Sequence, residues 1–218
     1  MRPEPRLSPA AERNKQPILE RLQALLPARG LALEIASGTG QHVAWFAAGL
    51  PGWVWQPSEL DLEDFASIAA WSEQAGLANV RPPLRLDVLA PRWPAEGAPF
   101  GESFDLVYCA NLLHIAPWTC CAALMQGAAR HLAPQGQLVV YGPFLEDQVP
   151  TAASNLAFDA ELRARDAAWG LRRLEAVAEQ ARRAGLRLAE RHAMPANNLL
   201  LVFRRSAAST ATSTPPAP

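Results

Sequence analysis

The segment LALEIASGTGQH, residues 31–42, sets the carboxylate of Glu34 ahead of two glycines, Gly38 and Gly40, with an apolar run leading in and a helix-compatible run leading out. The glycines let the main chain turn tightly and approach a ligand with no side chain in between. Gly-x-Gly alone is a weak signal. No Gly-Lys-Ser or Gly-Lys-Thr follows, which excludes a phosphate-cradling loop, and Val43 stands where a dinucleotide fingerprint has its third glycine. Glu34 sets the preference, because a carboxylate here adds negative charge beside any pyrophosphate and suits a cation better. The N–H groups at the start of the following helix can still hold an anionic group of the same ligand.

Two further acids extend the pattern. Glu59 lies nineteen residues beyond Gly40, close to the roughly 20-residue offset at which an acid on the second strand grips ribose hydroxyls. Asp87 ends a third strand, placed to accept from an adenine amino group. Each acid singly also reads as the cap of a following helix. Together, on successive strand ends after a bare turn, they point to a positively charged nucleoside such as S-adenosylmethionine. Transfer of its methyl group asks mainly that an acceptor be held about 3 Å from the methyl carbon.

Residues that could act on an acceptor cluster further along. His114 is the natural base where the acceptor must lose a proton, since an unperturbed imidazole titrates near pH ~6.5. Between Leu113 and Ile115 it reads equally as a buried histidine satisfied by backbone. Asn111 could line the methyl site or cap its own loop. Tyr141 and Phe144 flank the end of a fifth strand as substrate walls or as core. Asn197 and Asn198, in PANN, could hydrogen-bond a polar substrate or simply serve the turn.

The elements that must position these residues follow from periodicity. NKQPILERLQALLP is a helix closed by Pro27, and residues 1–27 form an N-terminal helical lid segment in which ERNK is either a cover for the cofactor or a solvated helix start. GLALEIA, WVWQPSEL, RPPLRLDV, SFDLVYCANLLHI and GQLVVYGPF read as five strands alternating with helices. The proline of WVWQPSEL suggests an irregular or terminal position for that strand. Two more amphipathic helices precede LRLAERHAM and NNLLLVFRR, an antiparallel hairpin. The expected fold is α/β: a Rossmann-like seven-stranded sheet, mostly parallel with one antiparallel C-terminal strand, and helices on both faces. Ligands of such sheets sit beyond the carboxyl ends of the strands, which is where Glu34, Glu59, Asp87, Asn111 and His114 fall.

Composition bounds the partners. The chain has 218 residues, half of them apolar, enough for one core and one domain over 1–205, with the small, proline-rich 206–218 as a disordered tail. A net charge of −1 gives no field to draw in nucleic acid or an anionic membrane, so a small-molecule substrate is expected ahead of a protein one. No apolar run approaches the roughly 20 residues of a bilayer span, and the N-terminus lacks a signal-peptide core, so a cytoplasmic location is expected. Cys109, Cys120 and Cys121 form no C-x-x-C pair and read as buried thiols, with no metal expected.

LEIASGTGQH resembles the first motif of class I S-adenosylmethionine-dependent methyltransferases. More narrowly, SPAAERNKQPIL, WQPSELD, NLLHIAPW, YGPF and MPANNLLLVF are similar to the methyltransferase-like protein 26 family, from about Ser8 to Arg205. The resemblance implies that Glu34, Ala36, Ser37, Gly38 and Gly40 form the cofactor turn, that Glu59 with Leu60 meets the ribose, and that Asp87 with Val88 meets the adenine, with Asn111 near the methyl group. Ala36 stands where many class I enzymes have glycine, and Glu59 where aspartate is commoner. The competing readings are a cofactor-binding sensor without turnover and a nicotinamide-dependent oxidoreductase, the latter disfavoured by the missing third glycine.

Overall fold

A computed structural model describes residues 4–206. In chain order the elements are α1 (Pro9–Leu25), β1 (Gly30–Ile35), α2 (Gln41–Gly49), β2 (Trp53–Glu59), α3 (Phe65–Gln74), β3 (Leu84–Arg85), β4 (Phe104–Ala110) and α4 (Thr119–His131). They continue with β5 (Leu132–Gly142), β6 (Phe144–Leu145), α5 (Ala153–Arg165), β7 (Arg172–Arg173), α6 (Leu174–Arg183), β8 (Leu186–Met194) and β9 (Asn198–Arg205). Seven strands form one sheet in the order β3-β2-β1-β4-β5-β9-β8, and β6 pairs with β7 in a small parallel ribbon. Within the large sheet β9 alone runs against its neighbours, pairing antiparallel with both β5 and β8. The seven-stranded, mostly parallel architecture is therefore the one read from the sequence.

Side-chain alternation divides the core between the two faces. On one face Ile18, Leu22, Phe46, Trp53 and Trp55 pack with Tyr108 and Tyr141, joining α1 and α2 to the sheet. On the other, Leu33, Val107, Leu124, Met125 and Phe203 pack under α4 and α6. Cys109, Cys120 and Cys121 are buried free thiols, and burial pushes Cys121 up to about 12. No described helix is long and apolar enough to cross a membrane.

Three local expectations change. The first helix starts at Pro9 rather than at residue 14, because Ser8 caps it, accepting from the Ala11 N–H at 3.3 Å, and proline is at home in a first turn. The third strand shrinks to Leu84–Arg85. Pro82 and Pro83, just ahead of it, have no N–H to offer a ladder. Pro57 does not mark a sheet edge, since β2 lies between β1 and β3. Trp55 directs its N–H and carbonyl to Asn79 and Arg81, on the β3 side. Two residues on, the missing N–H of Pro57 faces that same side, just before β3 pairing begins at Ser58. Of the expected tail, only Ser206 falls within the described residues.

Gly127 illustrates how tightly the α4 face is packed. Alanine in a helix interior normally stabilises by ~1 kcal/mol over glycine. Here an added Cβ would lie 2.1 Å from the Trp93 ring, itself fully buried. Overpacking of this kind costs about 1–3 kcal/mol, so Gly127→Ala is expected to lower the thermal midpoint rather than raise it; a raised midpoint in a melting experiment would contradict this packing.

Candidate functional site

The strand order reverses between β1 and β4, and the carboxyl ends of β1, β2 and β4 meet there. Beyond β1 the chain bends through Ala36, Gly38 and Gly40, all in the left-handed region at φ 54°, 54° and 88°. Ala36 adopts a conformation that glycine would enter more easily. The two glycines do different work. A Cβ on Gly40 would lie 2.6 Å from the Ile68 Cα, so Gly40 is needed for the close approach of α3. A Cβ on Gly38 would meet nothing within 4 Å, so the turn opens there onto free space.

The ends of β1 and β2 are latched together. Ser37 N–H donates to the Ser58 carbonyl at 2.9 Å, Ser58 N–H donates to Ser37 Oγ at 3.2 Å, and Ser58 Oγ donates to the Glu34 carbonyl at 2.6 Å. Glu59 completes the latch, one carboxylate oxygen accepting from Gly38 N–H at 2.8 Å and the other from Leu60 N–H at 2.7 Å. Leu60 itself is exposed. Asp87 follows directly, because Leu86 N–H donates to the Glu59 carbonyl at 3.0 Å. One Asp87 oxygen accepts from Leu89 N–H at 2.8 Å, leaving the second for other donors, while Val88 is buried in the core.

Glu34 is 1% exposed, and its Oε2 has no hydrogen-bond partner. Burial raises its pKa to about 8, against a partial offset from a Ser37 hydrogen bond and with a further rise from the Glu59 charge. Its register partner on β4 is Tyr108, whose hydroxyl is also buried without a partner. Burial, followed by the charge of Glu34, pushes that phenol well above its usual range.

α1 covers this face. Ser8 N–H donates to Gln41 Oε1, and Gln41 Nε2 donates to Glu12 at 3.1 Å. Asn14 Oδ1 lies 2.7 Å from His42 Nε2, and Lys15 sits 4.4 Å over the Trp45 ring. His42 is pushed down to about 4, chiefly by burial and then by Lys15, so the ring is neutral at physiological pH. The ERNK stretch is thus docked on the first turns of α2 beside the glycine turn. Tyr141 lies beneath it with its ring buried, and burial raises its phenol above the usual value, against partial offsets from Asn14 and Arg13.

At the end of β4, Asn111 takes φ 59° and donates its N–H to the Tyr141 carbonyl at 2.8 Å. His114 follows on a short helical turn, 1% exposed, with neither ring nitrogen in hydrogen-bond geometry. Burial, and next the charge of Arg172, push it down to about 3. The unperturbed value near 6.5 expected from the sequence does not hold in the fold: the ring is neutral at physiological pH but a weak base. Arg172 holds the same loop by donating to the carbonyls of Leu113 at 2.8 Å and Ala116 at 2.7 Å. The His114 ring packs edge-on against Phe144 at 5.0 Å and lies so close to Gly142 that a Cβ there would be 2.3 Å from Nε2.

Phe144, Asn197 and Asn198 border a cavity of about 200 Å³ between the end of β5, the start of α5 and the β8–β9 turn. Tyr141 is not among its walls. Sequence reasoning missed Asn155 and the Glu146–Arg191 pair, which border this cavity, and Tyr108, Asn14, Gln41 and His42 around the turn. Only Tyr108 left a usable signal, a polar hydroxyl on an otherwise apolar strand beside the one carrying Glu34. The others are brought in by helix docking or by the pairing of a loop with a distant strand, neither of which has a local signature.

Among solved structures the fold matches a methyltransferase in calicheamicin biosynthesis, CalO1, in its SAH-bound form, with TM-score 0.74, 14% identity, and 90% of this chain and 54% of that one covered. An O-methyltransferase family protein from Burkholderia thailandensis matches with TM-score 0.75 and 20% identity over 91% of this chain and 58% of that one. Human N-acetylserotonin methyltransferase in complex with SAM matches with TM-score 0.70 and 14% identity over 91% and 53%. The chain spans a little over half the length of each, and at these identities the likeness is one of fold. A family model described as "Protein of unknown function (DUF938)" matches residues 5–205, and the chain belongs to that family.

Proposed function

We propose that the chain is a class I S-adenosylmethionine-dependent methyltransferase, of the kind represented by methyltransferase-like protein 26, acting on a small acceptor at oxygen, nitrogen or sulfur. The observation that carries this reading is Glu34: a buried carboxyl with an unpartnered oxygen, beside a main-chain turn that opens at Gly38. An ammonium or sulfonium brought near it would favour the ionised form and repay part of the cost of burying the charge. A diphosphate would raise that cost. The names of the solved relatives, several of them methyltransferases and two recorded with SAH or SAM, support the same reading.

When bound, the cofactor supplies a methyl carbon on a sulfonium. Passing that carbon to an acceptor lone pair would leave the electron pair of the carbon–sulfur bond on sulfur and release the acceptor proton to solvent or a base. The chain's part is mainly to bind and orient. Glu59 and Asp87 offer carboxylate oxygens to the ribose and adenine, the open space above Gly38 takes the amino-acid end, and α1 covers the turn. Asn111 borders the methyl site. His114, neutral, can accept a proton only when the acceptor already delivers one readily.

The weak basicity of His114 also favours a second reading, in which the cofactor is bound without turnover. Calorimetry and product analysis separate the two. Micromolar S-adenosylmethionine binding with formation of S-adenosylhomocysteine in the presence of an accepting metabolite extract is expected. Binding with no turnover in any extract would favour the second reading, and no binding would overturn both.

A further inference from the structure

From the cavity beyond β5 we infer the class of acceptor: a small uncharged molecule carrying hydroxyl groups on an apolar body. Calling this occupant a methyl acceptor rests on the methyltransferase reading above. The cavity neighbours the end of β4, since Phe144, which lines it, packs against His114, and His114 is flanked by the Asn111 loop and Gly142. Its volume of about 200 Å³ falls below the roughly 300–1,000 Å³ of sites for drug-sized ligands. A single ring with a few substituents is the appropriate scale.

Charge is cancelled in the wall. Arg191 grips Glu146 in a two-point pair, Nη2 to Oε1 at 2.6 Å and Nε to Oε2 at 2.8 Å. A charged ligand gains nothing from this pair unless it breaks the pair apart. The remaining polar groups offer both acceptors and donors. Asn155, only 7% exposed, gives its amide nitrogen to the Asn197 carbonyl at 3.0 Å. Asn197 gives its own nitrogen to Ser154 Oγ at 3.2 Å, and Asn198 gives its nitrogen to the Pro195 carbonyl at 3.0 Å. Backbone carbonyls only accept, so the Asn155 and Asn198 amides are oriented: their oxygens remain to receive donors, and the Asn155 nitrogen keeps a second hydrogen to give. At the same cavity α5 begins without a side-chain cap, and the first N–H groups of a helix have no partner within it.

These two features together discriminate between functional groups. A carboxylate can only accept, and would face the amide oxygens. An ammonium can only donate, and would face the helix start. A hydroxyl does both. Phe144, Met194 and Leu199 supply the apolar side on which a hydrocarbon body rests.

Catechol is a suitable probe, with benzoate and benzylamine as charged counterparts of similar size. The full chain, loaded with S-adenosylhomocysteine and labelled on its methionine methyl groups, is titrated by NMR. Catechol is expected to shift the Met194 methyl signal and not that of Met125, which is no part of the cavity wall, with benzoate and benzylamine at least tenfold weaker. Ala193→Trp, which fills the cavity from an exposed wall position, should abolish the shift with cofactor affinity unchanged, and Asn155→Leu should weaken it about three- to tenfold, the worth of one hydrogen bond. An unmoved Met194 signal, equal binding of a charged probe, or indifference to Ala193→Trp would overturn the inference. The titration is repeated without S-adenosylhomocysteine. Catechol binding in a chain that binds no cofactor would overturn the methyltransferase reading alone; cofactor binding without catechol binding would overturn this inference alone.

Discussion

A Gly38→Arg chain is expected to fold and to bind no S-adenosylmethionine. The left-handed backbone at Gly38 imposes a cost of about 1–2 kcal/mol on any L side chain. For a chain of this size that lowers the thermal midpoint by only about 2–8 °C. The side chain otherwise meets no protein atom at its first carbon, because the space above Gly38 is open. If that space is the cofactor's, an arginine fills it and places a cation where a cationic ligand must sit. A loss of more than 100-fold in calorimetric affinity is expected. Gly40 supplies the contrast, since alanine there collides with the backbone of Ile68 and should compromise folding itself. Wild-type affinity in a folded Gly38→Arg chain would remove the cofactor from this turn.

Glu34→Gln should move stability and binding in opposite directions. Burial holds the carboxyl near 8 in the folded chain against an ordinary glutamate value of 4.5. Between those values the folded state holds a proton that the unfolded state has released, so stability of the ligand-free chain falls as pH rises from about 4.5 to 8 and levels off above. The slope is about 1.4 kcal/mol per pH unit, on the order of 3 kcal/mol by pH ~7. Glutamine is neutral throughout, so the variant should lose this dependence and melt higher than wild type at pH 7–8. It cannot answer a cation with a negative charge, and a 10- to 100-fold loss of S-adenosylmethionine affinity is expected. Melting curves from pH 5 to 9 and calorimetry at pH 8 check both halves. A wild-type midpoint that is flat over this range would show that Glu34 is not buried neutral, and a variant with full affinity would show that it is not part of the site. A residue that costs stability until its ligand arrives is the usual signature of a functional position.

The alternation of strands and helices, the bare turn and the acids on successive strand ends were legible in the chain because each rests on local chemistry. Side-chain period, glycine spacing and the hydrogen-bonding limits of proline act over a few residues. The same local reasoning placed Asn197 and Asn198 in a turn and Phe144 at a strand end. What only tertiary structure decided is what surrounds them. Nothing local distinguishes a His114 that titrates normally from one driven down to about 3, because the shift comes from burial and from Arg172, which is distant in sequence. The two-point grip of Arg191 on Glu146 and the bond from Asn155 to Asn197 join residues more than forty positions apart. Docking of α1 on α2 likewise turned ERNK from an ordinary charged stretch into a cover for the glycine turn. Hydrogen-bonding capacity belongs to a residue type, whereas desolvation and charge pairing belong to a position in three dimensions, which is why the sequence identified the groups and the fold set their protonation and partners.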